Sequence, residues 1–455
     1  MGDRRTAVAF FNKAVEALSS PDHAQKYNHA FQLFCSSCLA DPTLGQAHYQ
    51  YANNCGDLKW LHAAIASYRR ALCCDLDKEM RGHALCNLSW RLHQVGELEE
   101  ALSVAQQAVD FAPHLINGWI NLSVAHGSIG NQVASVAAIE KALAMEPDNN
   151  PAQFAAGFAY LFAGEYAEGF KYFEARFANR LPQYNDYPYP KWFGEKDKTV
   201  YLVSDQGLGD TLSFSRFLPA MSKRCKFIHA GVHPELMRAF NEAFLDLKNV
   251  NFVPIGTGFP QADAWTTFVS LPFALGLTNE EIKSAPHPKF PIYSIDTSWK
   301  VPDTKLHIGV TWGGSPQNDI DKWRSFPVKH FLDLYKVEGI QLYSLQTDSH
   351  KDELAANGCY SLIRDLSPWV RDVVDTFSLL QHLDLVITCE SALAHIAGAL
   401  GKEVWIPYSD HAHDYRLGHN GPILWYTNHQ LFLQGRERSW EACFKNIEIA
   451  LQRKM

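Results

Sequence analysis

The sequence predicts an α-helical repeat array followed by an α/β region of two lobes, and three observations carry that prediction. Glycines at 96, 130 and 164 recur every 34 residues, and prolines at 113 and 147 repeat the same interval. From Thr199 onward, short apolar runs alternate with amphipathic helical runs, the grammar of parallel sheets layered with helices. A proline-rich stretch, HPKFPIYSIDTSWKVPDTK, interrupts that alternation near its middle. At 455 residues the chain also exceeds what one ordinary core serves.

In the repeat region each glycine sits between two amphipathic runs. SWRLHQV-GELEEALSVAQQAVDFAP is one unit, NLSVAHGSI-GNQVASVAAIEKALAMEP the next, and GFAYLFA-GEYAEGFKYFEARF the third. Glycine suits the tight helix-to-helix turn, where a positive φ is often needed. Proline closes the second helix of each unit. Small residues, Ala101, Ala105, Ala108 and Ala142, recur where paired helices must approach. The pattern resembles the tetratricopeptide repeat and is specific from about residue 82 to 181. Before that it loosens: Gly56 and the run AAIASYRRAL suggest another unit, and Asp41-Pro42 ends a further helix pair. An insertion near CCDLDKEMRG would explain the longer interval from Gly56 to Gly96. A stacked array has a concave face that usually takes a peptide or another protein and carries no chemistry of its own.

Composition narrows the class. Hydrophobic residues make up 47% and charged residues 20%, with a net charge of −8. An acidic balance argues against a nucleic-acid surface, which needs a basic footprint. No apolar run reaches the ~18 residues of a membrane span, and the N-terminal stretch lacks the apolar core of an export signal. The expectation is a cytoplasmic protein whose ten cysteines are reduced thiols. Cys35 and Cys38 form a C-x-x-C within a helical run, with no second pair at zinc-ribbon spacing, and read as buried thiols.

The segments divide as repeats over 1–182, an aromatic, proline-rich connector over 183–198, and lobes over 199–300 and 301–455. The connector LPQYNDYPYPKWFGEKDK forbids a long helix but is rich in rings that seek burial. TVYLVS, KFIHAGV, LHIGVTW, IQLYSLQ, DLVITC and EVWIPY read as strands. DTLSFSRFLPAMSKR, PELMRAFNEAF, FLDLYKV, DTFSLLQHL and SALAHIAGAL read as helices.

Two strand–turn–helix junctions hold candidate chemistry. In the first, Gln206-Gly207-Leu208-Gly209-Asp210 leads into a helix with Asp210 at its mouth. Glycines allow close backbone approach, and a helix N-terminus favours anions. No Gly-Lys-Ser/Thr follows, so this is not a Walker loop, and Leu212 replaces the third glycine of a dinucleotide fingerprint. Alternatively the acid only caps the helix. In the second, Glu390 and Ser391 follow a strand, and His395 lies one helical turn beyond Ser391. Ser391 and free N–H groups would hold a diphosphate, with His395 donating to a phosphate or leaving oxygen. The alternative is a capping serine and a core histidine.

From about Tyr172 to Leu451 the chain resembles glycosyltransferases fused to tetratricopeptide repeats in bacteria and phages, relatives of heptosyltransferases and, more distantly, O-GlcNAc transferases. The resemblance rests on the order and spacing of YFEARF, DQGLGDTLSFSRFLP, GVTWGGSPQNDIDKWRSFP, YSLQTD, LDLVITCESALAHIAGALGKEVWIP and DYRL…WY…LFLQ. It implies the GT-B fold: an N-terminal acceptor lobe and a C-terminal nucleotide-sugar donor lobe, with the site in the cleft between them. It implies that Asp210 is the candidate base, within a turn of Gln206, Gly207 and Gly209. It further implies that Asn318, Asp319, Arg324 and Ser325 border the donor, and that Gln346 lies near the nucleotide base. Glu390, Ser391 and His395 then belong to the donor-phosphate helix, and Asp414 and Arg416 to a late element facing the cleft.

The chain departs from the family at three places. Glu390-Ser391 stands where relatives usually have Asp-Thr or Asp-Ser, Thr347 stands where many carry Lys, and SPQND is a shortened loop. Tyr408, Asp410, His411, His413 and Asp414 form a polar cluster that reads as a solvated loop rather than a metal site. The expected function is transfer of a sugar from a nucleotide sugar to an acceptor hydroxyl, on a protein or peptide recruited by the repeats. Inversion is implied by the resemblance, and no cofactor or metal is expected. The alternatives are a scaffold with a degenerate transferase region, or a transferase acting on nucleic acid or lipopolysaccharide.

Overall fold

The structure, a computed structural model, describes residues 3–19, 23–179, 184, 187–318, 320–410, 414–418, 425–435 and 437–455. It forms two compact units, Met1–Ala163 and Gly164–Met455.

The first unit is a helical repeat of the tetratricopeptide type. Its described helices are Arg4–Leu18, His23–Ala40, Gly45–Asp57, Leu61–Leu72, Lys78–Val95, Leu98–Phe111, Ile116–Ser128, Gln132–Met145 and Asn150–Phe162. Local chemistry sets their ends. Asp77, Asn131 and Asn149 accept hydrogen bonds from first-turn N–H groups at 2.7, 3.2 and 3.0 Å. Gly96 and Gly130 close the tight turns with φ of 86° and 79°. Ala101, Ala105, Ala108 and Ala142 are fully buried between helices.

The irregular spacing upstream has a second cause beside the extra residues near CCDLDKEMRG. Gly56 is not a turn residue: it lies buried inside the helix Gly45–Asp57, where a Cβ would sit 2.4 Å from the Arg91 guanidinium. The left-handed turn position is Lys59, with φ of 62°. The extra residues lie within a helix, since Lys78–Val95 has 18 residues against 13 in Gly45–Asp57 and in Ile116–Ser128. Cys35 and Cys38, expected to be buried, are only half-buried free thiols.

The second unit begins earlier than residue 183. The helix Tyr166–Phe173 belongs to it because its rings pack there: Tyr166 lies edge-on to Trp425 at 5.7 Å and Phe170 to Phe214 at 5.5 Å. Just beyond, the fully buried Arg176 donates to Asp205, Glu174, Thr267 and Ser270 at 2.7–3.1 Å. The connector is ordered where it is described. Tyr184 stacks on Trp265, Trp192 is fully buried, and Trp192 N donates to Trp265 O at 2.7 Å.

Among the described residues, ten parallel strands make two sheets. The first contains β1 (Thr199–Val203), β2 (Phe227–Val232), β3 (Val250–Pro254) and β4 (Ala264–Thr267) in the order β3-β2-β1-β4. The second contains β5 (Leu306–Thr311), β6 (Ile340–Ser344), β7 (Ile363–Asp365), β8 (Leu385–Thr388), β9 (Val404–Tyr408) and β10 (His429–Leu433) in the order β10-β9-β8-β5-β6-β7. Strand order reverses between β1 and β4 in one sheet and between β5 and β8 in the other. Open parallel sheets bind ligands beyond the carboxyl ends of their strands at such reversals. The turns after β1, β5 and β8 lie at these reversals. The proline-rich stretch after Ser284 carries no helix or strand and joins the two sheets. Four strands, β3, β4, β7 and β10, and the closing helix Trp440–Lys454 are not predicted by the sequence pattern. That helix buries Cys443, Phe444, Ile447 and Leu451 in the core of the second sheet. Among the described residues, no helix is long and apolar enough to cross a membrane.

Candidate functional site

After β1 the chain turns at Gly207, the N-cap of the helix Leu208–Phe214. Asp210 reaches back to accept from Gly207 N at 3.1 Å, so the capping alternative is realised. The same carboxylate also meets Arg416 Nη1 at 2.9 Å, and its side chain keeps 23% exposure. Gly209 lets this helix approach the helix Ala392–Ala399 of the second sheet. A Cβ there would sit 3.0 Å from both Ala392 Cα and His395 Cδ2.

Arg416 is the hub of the site. Its Nε donates to Asp414 at 2.8 and 3.0 Å, and a further Nη2 contact makes the pair bidentate. His395 Nε2 lies 3.3 Å from Asp414 Oδ2 and its Nδ1 lies 3.0 Å from the Tyr426 hydroxyl. Ser213 Oγ, on the Asp210 helix, is 3.2 Å from that hydroxyl. Burial would raise the Asp414 carboxyl, but Arg416 and the His395 and Arg416 hydrogen bonds outweigh it and hold the group far below its usual range. Burial, reinforced by the Arg416 charge, lowers His395 despite Asp414. A neutral His395 beside an ionised Asp414 carries its proton on Nε2.

This geometry changes the role read for His395. The side chain is almost wholly buried and both ring nitrogens are engaged within the protein. It orients Asp414 and Arg416 rather than presenting an N–H to a phosphate. Gln346, expected near the nucleotide base, is buried with its side chain engaged within the protein. Its carbonyl accepts from Trp312 N and Gly313 N, each at 3.1 Å, and its amide donates to Gly313 O and Asp348, each at 2.9 Å. Every polar atom braces the turn after β5.

Around that turn, Gly314 N donates to Asp321 and Ser325 at 3.1 and 3.0 Å, and Ser325 donates to Asp321 at 2.8 Å. Arg324 Nε reaches Asp321 at 3.3 Å. Asn318 is exposed and accepts from Ile320 N at 3.2 Å, and Asp319 lies outside the described residues. Gln206 contributes its backbone carbonyl, 2.9 Å from His233 Nε2. Sequence reasoning missed Asp321 and His350, which meet at 3.2 Å. It also missed the Arg176–Asp205 pair behind the first turn. No local motif marks these contacts, because each joins residues distant in sequence.

At the second turn, Ser391 is the N-cap of Ala392–Ala399, yet its side chain makes no capping bond. The hydroxyl instead lies 3.1 Å from Thr388 Oγ1. The first N–H groups of this helix are thus left uncapped by a side chain, the end of a helix that favours negative charge. Glu390 is buried, and its Oε2 has no hydrogen-bond partner among the described residues. His411 and His413 lie outside the described residues.

No protein-family model matches the chain. Protein FlbA of Caulobacter vibrioides is 22% identical over 402 residues, covering 82% of this chain. The chain spans 66% of that relative's own length. Among solved structures, MamA is 18% identical with a TM-score of 0.33, covering 40% of this chain and 96% of its own. YrrB, described as a TPR protein with an unusual peptide-binding site, is 16% identical with a TM-score of 0.32, covering 40% of this chain and 88% of its own. Likenesses at this level assign no family and no activity.

Proposed function

We propose that the chain is a glycosyltransferase of the GT-B type, moving a sugar from a nucleotide diphosphate to a hydroxyl on a protein or peptide. One observation carries this reading. The turns at the strand-order reversals of two parallel sheets meet through Asp210, Arg416, Asp414 and His395. In the proposed reaction Asp210 takes the proton of the acceptor hydroxyl as that oxygen attacks the anomeric carbon. Gly207 N and Arg416 fix the carboxylate, and its remaining exposure leaves an edge for the acceptor. The leaving diphosphate rests on the first turn of Ala392–Ala399, with Arg324 supplying positive charge. Direct attack from the face opposite the diphosphate inverts the anomeric centre. Calorimetric titration of the full chain with UDP, GDP, CDP and ADP tests the donor site. One nucleotide is expected to bind at least about fivefold more tightly than the others, because small differences in a fitted pocket discriminate by roughly 1–3 kcal/mol. Equal failure of all four removes the donor site.

The repeat unit is read as the recruiter of the acceptor. Between its helices lies a cleft of about 480 Å³ lined by Leu72, Arg81, Leu85, Gln107, Asp110 and Phe111, a mixture of apolar and charged groups suited to peptide side chains. A chain beginning at Gly164 is expected to retain nucleotide binding and lose transfer to its natural acceptor. A chain beginning at Lys191 is expected to unfold, because it lacks Tyr166, Phe170 and Arg176. Removing Arg176 leaves Asp205 buried and uncompensated, at a cost of about 3–5 kcal/mol. Undiminished acceptor transfer by the Gly164 chain rules out recruitment by the repeats.

A further inference from the structure

Glu390 sits between β8 and the N-cap of Ala392–Ala399. It is 7% exposed, and its Oε2 finds no hydrogen-bond partner among the described residues. A buried carboxylate without a partner is far costlier than a buried neutral acid. Its charged surroundings are mixed. Asp414 and Asp210 disfavour ionisation, and Arg324 and Arg416 favour it. Tyr408 and Cys389, which also face it, stay protonated, the first held well above its usual range and the second pushed up to about 12, both by burial. Burial and then the Asp414 charge dominate at Glu390 and push it up to about 8.

Protonation decides what this side chain offers a ligand. An ionised glutamate only accepts hydrogen bonds and repels a phosphate, whereas the neutral acid has an O–H to donate. The adjoining helix start, one residue further on and uncapped by Ser391, favours an anion. Thr347, on the turn after β6, brings no positive charge. We propose that Glu390, as a neutral carboxylic acid, donates a hydrogen bond to the diphosphate of the nucleotide donor. This inference rests on the donor reading above and adds to it a proton requirement peculiar to Glu390.

The test uses the full chain and the tightest binder among UDP, GDP, CDP and ADP, titrated calorimetrically from pH 6.5 to 9.5. The terminal phosphate completes its own ionisation near the bottom of that range. Affinity is expected to fall about tenfold per pH unit above about pH 8, because one bound proton is required. Glu390→Gln keeps a donor and removes the titration. It is expected to bind within about threefold of the parent at pH 7 and to show no decline at high pH. A flat parental profile, or a loss beyond about tenfold in Glu390→Gln at pH 7, overturns the inference. Should the variant melt before titration, the parental profile decides alone. Infrared spectroscopy separates the two claims. A carboxylic-acid band lost in Glu390→Gln, with no diphosphate bound, refutes the donor site and this inference with it. Diphosphate binding without that band refutes this inference alone.

Discussion

Replacing Asp210 by Asn is expected to slow sugar transfer by about 10²–10⁴-fold, the usual contribution of a general base. Asn matches the shape of Asp and still accepts from Gly207 N through its carbonyl oxygen, so the helix start survives. Arg416 keeps its bidentate partner Asp414, so the fold loses one contact and not the hub. Nucleotide affinity is expected to stay within about threefold of the parent, since the diphosphate is read onto the other turn. If Asp210 serves only as a cap, the same substitution leaves transfer nearly unchanged. Rate, affinity and melting temperature, measured together on this variant, distinguish the two roles.

Replacing Arg416 by Met is expected to be the most destabilising single change at the site. It leaves the Asp414 carboxylate, 7% exposed, without its guanidinium, held only by His395 and the backbone N–H of residue 416, and it frees Asp210 from its ion pair. Removing one member of a buried ion pair costs about 3–5 kcal/mol, or a melting-temperature drop on the order of 10 °C for a unit of this size. The pH dependence follows from Asp414. In the parent its carboxyl is held far below the usual range, so its contribution is present at neutral pH and fades as pH falls through the acid range. The variant's deficit is therefore largest near pH 7 and shrinks below about pH 4, where the unfolded carboxyl also takes up its proton. Adding Asp414→Asn to Arg416→Met is expected to restore part of the stability, because the uncompensated charge is gone. Equal melting of the parent and Arg416→Met would show that the buried pair contributes nothing.

The parts of this architecture legible in sequence are those that local physics dictates. Glycines 34 residues apart mark left-handed turns wherever the helices themselves are of standard length. Lys59 escaped because its positive φ is unusual for a residue with a Cβ, and the glycine nearby serves the approach of Arg91 instead. Strands buried on both sides announce themselves as apolar runs, as β1, β5, β8 and β9 do. β3, with its exposed Asn251, and β7, only three residues long, do not. At the site, both turns and the residues Asp210, Ser391, His395, Asp414 and Arg416 could be named from the sequence. Their pairing could not. Asp210 and Arg416 are more than two hundred positions apart, and only the folded unit brings them within 2.9 Å. The hydrogen bonds of Gln346 to the turn after β5 were hidden for the same reason. An amide that faces a ligand and one that braces a turn look identical in a sequence.

The most direct test of the proposed function is the release of nucleotide diphosphate by the full chain from a panel of nucleotide sugars, with Asp210→Asn run alongside. The account predicts that one donor is consumed with appearance of its diphosphate, and that the variant does this about 10²–10⁴-fold more slowly at similar donor affinity. Release from none of the donors in the presence of the natural acceptor, or equal release by parent and variant, would contradict it.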